Sequence, residues 1–267
     1  MKPLLKFIWI TFYRPNIFER IQSGCFETWA EVKSLGMPRR KIVIIIYKLS
    51  YFLFKNSELA FFSKFSAKKI TFAQKYQDLF VLYNVSHGSF IEIGASDGVT
   101  DNNTYLLENL GWKGILFEPN KNFSKELSKN RSCMVDKRAV YVESEQTVDF
   151  SIDRTATFSG IIKFKEQYLT SQEVIKIKTI SLNDIFKLLN LEEVTYLSID
   201  TEGTEFEILN AFDFGEHKIC IITVEHNGDL KKALRIHKLL VRKGYTRKFK
   251  YISGPDFFYT LNTLKVR

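Results

Sequence analysis

Apolar positions beyond residue 70 follow two spacings. From Phe72 to Val85, Phe72, Tyr76, Leu79, Phe80 and Tyr83 recur at three- and four-residue steps, which predicts a helix. Ser89 to Ile93 is a short β-type run that stops at Gly94-Ala95-Ser96-Asp97-Gly98. Asp101-Asn102-Asn103 then offers helix caps, and Thr104 to Leu110 reads as the helix they start. A second buried strand, Ile115 to Phe117, ends at Glu118-Pro119 and leads into a helix over Phe123 to Lys129. A third strand is expected around Met134 to Val142, and Thr147 to Ile152 reads as a further extended piece.

The alternation continues toward the C-terminus. Leu182 to Asn190 predicts a helix, Thr195 to Ile199 a strand ending at Asp200-Thr201-Glu202-Gly203, and Phe206 to Ala211 another helix. Ile219 to Val224 is a fully apolar strand ending at Glu225-His226-Asn227. Leu230 to Arg242 is amphipathic and Gly244 stops it; Tyr245 to Ile252 and Phe257 to Leu261 are the closing strands. Strands that alternate with helices and are hydrophobic throughout predict an α/β fold, a doubly wound parallel sheet covered on both faces. The closing pair reads as a C-terminal hairpin that adds an antiparallel edge.

Charge divides the chain. Of its 39 Lys and Arg side chains 13 lie in residues 1–70, against 4 of its 30 Asp and Glu, so the net +9 resides there and 71–267 is neutral. The same 70 residues hold 14 aromatics, among them Phe7, Trp9, Trp29, Tyr47 and Phe54. Two regions are therefore expected, a basic, aromatic-rich and mainly helical extension (1–70) and an α/β domain (71–267). The apolar run Ile42 to Phe54 is interrupted by Lys48 and is short of the roughly 20 residues that span a bilayer. No signal-peptide cleavage pattern follows Leu4 to Tyr13. The extension fits a helical cap packed on the domain, or a peripheral patch on an anionic membrane. Nucleic-acid binding is not expected, since no nucleic-acid motif accompanies the charge. Cys25, Cys133 and Cys220 are far apart, which excludes a disulfide scaffold and a cysteine zinc site. A cytoplasmic protein, peripheral at the inner face of the membrane, is the matching expectation.

Polar residues gather where strands end: Glu92, Gly94, Asp97 and Gly98; Glu118; Asp200 and Glu202; Glu225 and His226. Ligands of open α/β sheets bind at such ends. The first loop lacks the G-x-G-x-x-G spacing of dinucleotide folds and carries two acids that would repel a pyrophosphate. An acidic loop suits a cationic ligand with an amino group. Glu118, 24 residues after Gly94, stands where a carboxylate accepts both ribose hydroxyls. Together these features point to S-adenosyl-L-methionine, which has a sulfonium, an α-amino group, a ribose and no phosphate.

The stretches Phe90 to Gly98, Asn103 to Glu108, Gly111 to Pro119, Leu197 to Leu209 and Val224 to Asn227 closely resemble the FkbM-type methyltransferases. So do Gln74-x-x-Gln77-Asp78 and the tail from Gly244-Tyr245 to Tyr259, and the resemblance spans about 71–260. It implies a class I, Rossmann-like methyltransferase using S-adenosylmethionine, usually for O-methylation of sugars or polyketide-type hydroxyls. Carried onto this chain, Glu92, Gly94, Ala95, Asp97, Gly98 and Asn103 belong to the loop around the methionine half, Glu118 to the ribose, and Asp136 and Ala139 to the adenine. Arg138 offers Asp136 an ordinary ion pair instead. Candidate bases for an acceptor hydroxyl are Asp200, Glu202 and His226. Asp200, Glu202 and Glu225 alternatively hold a Mg²⁺. The expected acceptor is a glycan, including one carried on a lipid. A non-catalytic binding protein that keeps the fold is the rival expectation.

Overall fold

A computed structural model describes residues 71–153, 159–162, 173–250 and 254–264. Expectations for residues 1–70 lie outside them. The fold is that of the unit Thr71–Lys248 with Pro255–Arg267.

Its elements run α1 (Gln77–Asn84), β1 (Ser89–Ile93), α2 (Tyr105–Asn109), β2 (Lys113–Phe117), α3 (Ser124–Asn130), β3 (Met134–Asp136), β4 (Ala139–Tyr141), β5 (Thr147–Ile152), β6 (Gly160–Ile161), β7 (Glu173–Ser181), α4 (Leu182–Leu188), β8 (Glu193–Ile199), α5 (Glu205–Ala211), β9 (Lys218–Glu225), α6 (Leu230–Arg242), β10 (Tyr245–Lys248) and β11 (Asp256–Leu261). The main sheet has seven strands in the order β10-β11-β9-β8-β1-β2-β3. β3, β2, β1, β8 and β9 pair in parallel, and β11 is antiparallel to both its neighbours. From β1 the chain winds outward through β2 and β3, then returns to β8 on the other side of β1. That reversal is the topological switch point, where the loops after β1 and β8 part. A four-stranded sheet, β4-β7-β5-β6, stands beside it.

The central strands are apolar because both their faces are covered. Ile91, Leu197, Ile199, Ile222 and Val224 are buried in one core with Ile185, Leu209, Ile236 and Leu240 from the helices. Each such side chain contributes about 1.5–3 kcal/mol by leaving water. On α6, Asp229 caps the start by accepting from the Lys231 and Lys232 amides. Ala233, Ile236, Leu239 and Leu240 face inward, at the spacing that predicts this helix.

The structure departs from the periodic reading in three places. α1 begins at Gln77 rather than Phe72, because the buried Asp78 carboxylate accepts from Thr71 Oγ1 at 2.6 Å and the Phe72 amide at 3.0 Å. Tyr76, at φ 65°, then turns the chain into the helix. The expected third strand is two strands in different sheets, β3 and β4, separated where Asp136 accepts from the Arg138 amide at 2.8 Å. β7, to which the periodic reading assigns nothing, alternates half-buried Ile175 and Ile177 with exposed Lys176 and Lys178. The closing pair is the expected antiparallel hairpin at the edge of the sheet, with β11 lying between β9 and β10. Phe257, Phe258 and Tyr259 are all buried, so β11 is covered on both faces as well as paired on both edges.

Candidate functional site

β1, β2, β8 and β9 run parallel, so their carboxyl ends share one edge of the sheet. A cleft opens there at the switch point. Its described walls are Gly94 and Ser96 after β1, Glu118 and Pro119 after β2, and Asp200, Thr201, Glu202 and Thr204 after β8. The smaller sheet closes one side with Ala139, Val140, Phe150 and Ile161.

Gly94 sits at φ +87°, and a Cβ there would lie 1.9 Å from the Asp200 carbonyl oxygen. Its amide donates to Phe117 O at 2.9 Å and the Asp200 amide donates to Ile93 O at 2.9 Å, binding three strand ends into one floor. The glycine is therefore required by the close approach of the chain after β8, and not only by a ligand's approach.

Glu118 is 6% exposed and faces this floor. Its Oε2 accepts from the Ser96 amide and its Oε1 from the Asn120 amide, each at 2.8 Å. Burial pushes its carboxyl up to about 7. Each oxygen keeps capacity for a further donor.

Other residues of the expected loop are turned to internal work. Glu92 accepts from the Asn103 amide at 2.9 Å and Thr104 Oγ1 at 2.5 Å, with Arg131 at 3.7 Å. Asp97 accepts from the Val99 and Thr100 amides; although burial pushes its carboxyl up, these bonds and one from Thr100 Oγ1 hold it below its usual value. Ala95 is buried, and Gly98 packs where a Cβ would meet Leu127 and Arg131. Asn103 donates to Ser198 Oγ at 2.9 Å. Asp136 forms the ion pair with Arg138, at 2.6 Å, and only Ala139 of the adenine pair lines the cleft. Glu92, Ala95, Asp97, Gly98, Asn103 and Asp136 thus shape the loops, while Gly94, Glu118 and Ala139 face the cleft.

At the other end, Asp200, Glu202 and Glu225 converge: one carboxylate oxygen of each lies within 4.8 Å of the others. Asp200 and Glu202 line the cleft, and Asn227 Nδ2 donates to Glu202. Burial first, and then the charge of Glu225, push the Asp200 carboxyl well above its usual range. His226 is not brought to the cleft lining. It is 5% exposed, its ring meets Phe257 edge-on at 4.4 Å, and its amide donates to Pro255 O.

Sequence reasoning missed Asp256, which pairs across β11 and β9 with Glu225 and accepts from Gln77 Nε2 at 3.1 Å. Burial, then Glu225, push its carboxyl up to about 7. It also missed Thr201, Thr204, Phe150 and Ile161 as walls. The alternation of β7 with β5 was the available signal for the smaller sheet that carries Phe150.

The family model described as the methyltransferase FkbM domain matches residues 92–247. No curated protein matches the sequence. Among solved structures, the chain is similar to a precorrin-6y C5,15-methyltransferase from Geobacter metallireducens GS-15, with 13% identity over 72% of this chain and 90% of that one and a TM-score of 0.39. It is also similar to the fibrillarin pre-rRNA processing protein of Methanococcus jannaschii, with 10% identity over 65% of each chain and a TM-score of 0.33.

Proposed function

The chain belongs to the FkbM methyltransferase family, and from that premise we propose that it methylates a hydroxyl of a glycan or related natural product with S-adenosylmethionine as donor. The observation that carries the reading is the charge of the cleft. Its described lining holds three acids, Glu118, Asp200 and Glu202, and no Lys or Arg. Such walls repel phosphates and favour a cation, as the sulfonium and α-ammonium of this donor require. The residues present fit the rest of it as well. Glu118 offers two carboxylate oxygens to the paired ribose hydroxyls, and Val140, Phe150 and Ile161 offer an apolar wall to a flat base.

When bound, the donor supplies a methyl carbon already activated by its positive sulfur. The protein's part is to fix the acceptor in line and receive its proton. That proton falls to a carboxylate after β8, since Asp200 and Glu202 line the cleft and His226 does not. The acidic mouth also favours neutral saccharides over phosphorylated ends in the transfer position.

Labelled S-adenosylmethionine incubated with the protein and a panel of free, nucleotide-linked and lipid-linked saccharides tests this. The expected product is a methyl ether on a sugar. Transfer to nitrogen or sulfur acceptors in place of oxygen contradicts it.

A further inference from the structure

We propose that the outer face of α6 (Leu230–Arg242) seats on an anionic lipid membrane, as a docking surface within the α/β domain itself. Ala233, Ile236, Leu239 and Leu240 turn into the core, which leaves two rows outside. Leu230, Leu234 and Val241, at steps of four and seven, form an apolar row and are 81%, 52% and 49% exposed. Lys231, Lys238 and Arg242, at steps of seven and four, form a basic row beside it, and all three are exposed.

The charge of this face is concentrated and uncompensated. Residues 71–267 are neutral as a whole, but Leu230 to Lys248 holds eight Lys and Arg and no Asp or Glu. Lys232 pairs with Glu205 at 2.9 Å and Arg235 with Glu207 at 3.5 Å. Among the described residues Lys231, Lys238 and Arg242 form no ion pair. Arg242 Nε donates to Lys238 O at 3.1 Å, a bond that leaves its charge in place. These cations also work against the helix that carries them. Lys231 stands in the first turn, where the helix dipole disfavours a cation, and Lys238 and Arg242 are like charges four residues apart. An anionic surface outside the protein removes both penalties.

The pairing of the two rows selects a membrane as the occupant. At a lipid interface the cations meet anionic headgroups while the Leu and Val side chains enter the acyl boundary. A nucleic acid would take the cations to its phosphates and leave the aliphatic row in water. The face also has a place relative to the cleft. Glu225 ends β9 and Leu230 begins α6, so the exposed Leu230 lies toward the edge of the sheet where the cleft opens. Seating α6 brings that edge toward the lipid.

The full chain is sedimented with mixed phosphatidylserine–phosphatidylcholine vesicles at low salt. Lys238→Glu with Arg242→Glu should lower partitioning at least about tenfold, since each cation near such a surface contributes about fivefold. Leu230→Ser with Leu234→Ser leaves the charge unchanged and should lower it at least about threefold. Lys125→Glu with Lys129→Glu, both exposed on α3, changes the net charge as the α6 reversal does and should stay within about twofold of wild type. Any contribution of residues 1–70 is common to every variant. All six substituted side chains are exposed, and far-UV circular dichroism confirms that each variant folds. A wild type that does not partition, equal loss in the two charge reversals, or an unchanged Leu230→Ser/Leu234→Ser variant overturns the proposal. Binding of an oligonucleotide that depends on Lys238 and Arg242, without vesicle binding that does, would make the face a nucleic-acid surface and also overturn it.

Discussion

Burial raises the Glu118 carboxyl to about 7, working against the Asn120 and Ser96 amides that stabilise its charge, with the charge of Glu92 adding to the rise. A ribose hydroxyl donates best to the ionised form. Cofactor affinity should therefore fall as pH drops below about 7, by up to about tenfold per unit, and Glu118→Gln should flatten that dependence in titrations between pH 5 and 8. The same shift has a stability consequence of opposite use. The folded state holds a proton that the unfolded chain releases above about 4.5. Free protein should therefore lose stability as pH rises from about 4.5 to 7, by at most about 3 kcal/mol from this group. Glu118→Gln should remove that part of the slope in urea unfolding; an unchanged slope would place the titration elsewhere. Gly94 belongs to the same scale. Its left-handed backbone alone makes Gly94→Ala cost about 1–3 kcal/mol, and the 1.9 Å approach to Asp200 O adds to that. Thermal melts of the free protein should record the loss before any cofactor is added. A variant that melts like wild type but binds no cofactor would return the glycine to a purely ligand-facing role.

At the scale of elements, Arg131 at the end of α3 joins the loops after β1 to the helices that follow. It is buried, pairs with Glu108, faces Glu92, and donates to Asn102 Oδ1 at 2.9 Å and Thr104 Oγ1 at 2.8 Å. Arg131→Ala would strand Glu92 inside the protein. It should cost about 3–5 kcal/mol in denaturant unfolding, the range for breaking a buried pair from one side; a loss under 1 kcal/mol would mean that water reaches Glu92. This network also explains how much the sequence discloses. β1 and α6 were legible to their bounds, since a β-type run built on Phe90, Ile91 and Ile93 ends at Gly94 and a clean helical stripe lies between Asp229 and Gly244. The strand-end position of the site was legible for the same reason. What was not legible is the direction of each side chain. Glu92, Asp97 and Asp136 have the residue type and place of ligand contacts, yet an acid at a strand end serves equally to cap a neighbouring turn or hold an arginine. Only packing against Asn103, Thr100 and Arg138 decides. Asp256 was hidden by the opposite cause, because its nearness to Glu225 depends on β11 entering the sheet beside β9.

For the whole molecule, the +9 charge lies in residues 1–70, outside the described structure, interleaved with 14 aromatics. Among the described residues no helix is long and apolar enough to cross a membrane. We propose that the extension attaches the protein to anionic lipid, where lipid-linked saccharides are assembled. Each Lys or Arg near such a surface contributes about 1 kcal/mol. The full chain should float with phosphatidylserine vesicles at low salt and be released at high salt. Equal recovery with neutral vesicles would leave only packing on the domain. The central claim, a methyltransferase whose acidic switch-point cleft holds S-adenosylmethionine through Glu118, is tested most directly by titration calorimetry with that cofactor. The account predicts one molecule bound per chain and, in Glu118→Ala, affinity roughly ten- to a hundredfold weaker, the loss of a charged hydrogen-bond acceptor worth about 1.5–3 kcal/mol. No binding by the wild type at millimolar cofactor, or equal affinity in the variant, would contradict it.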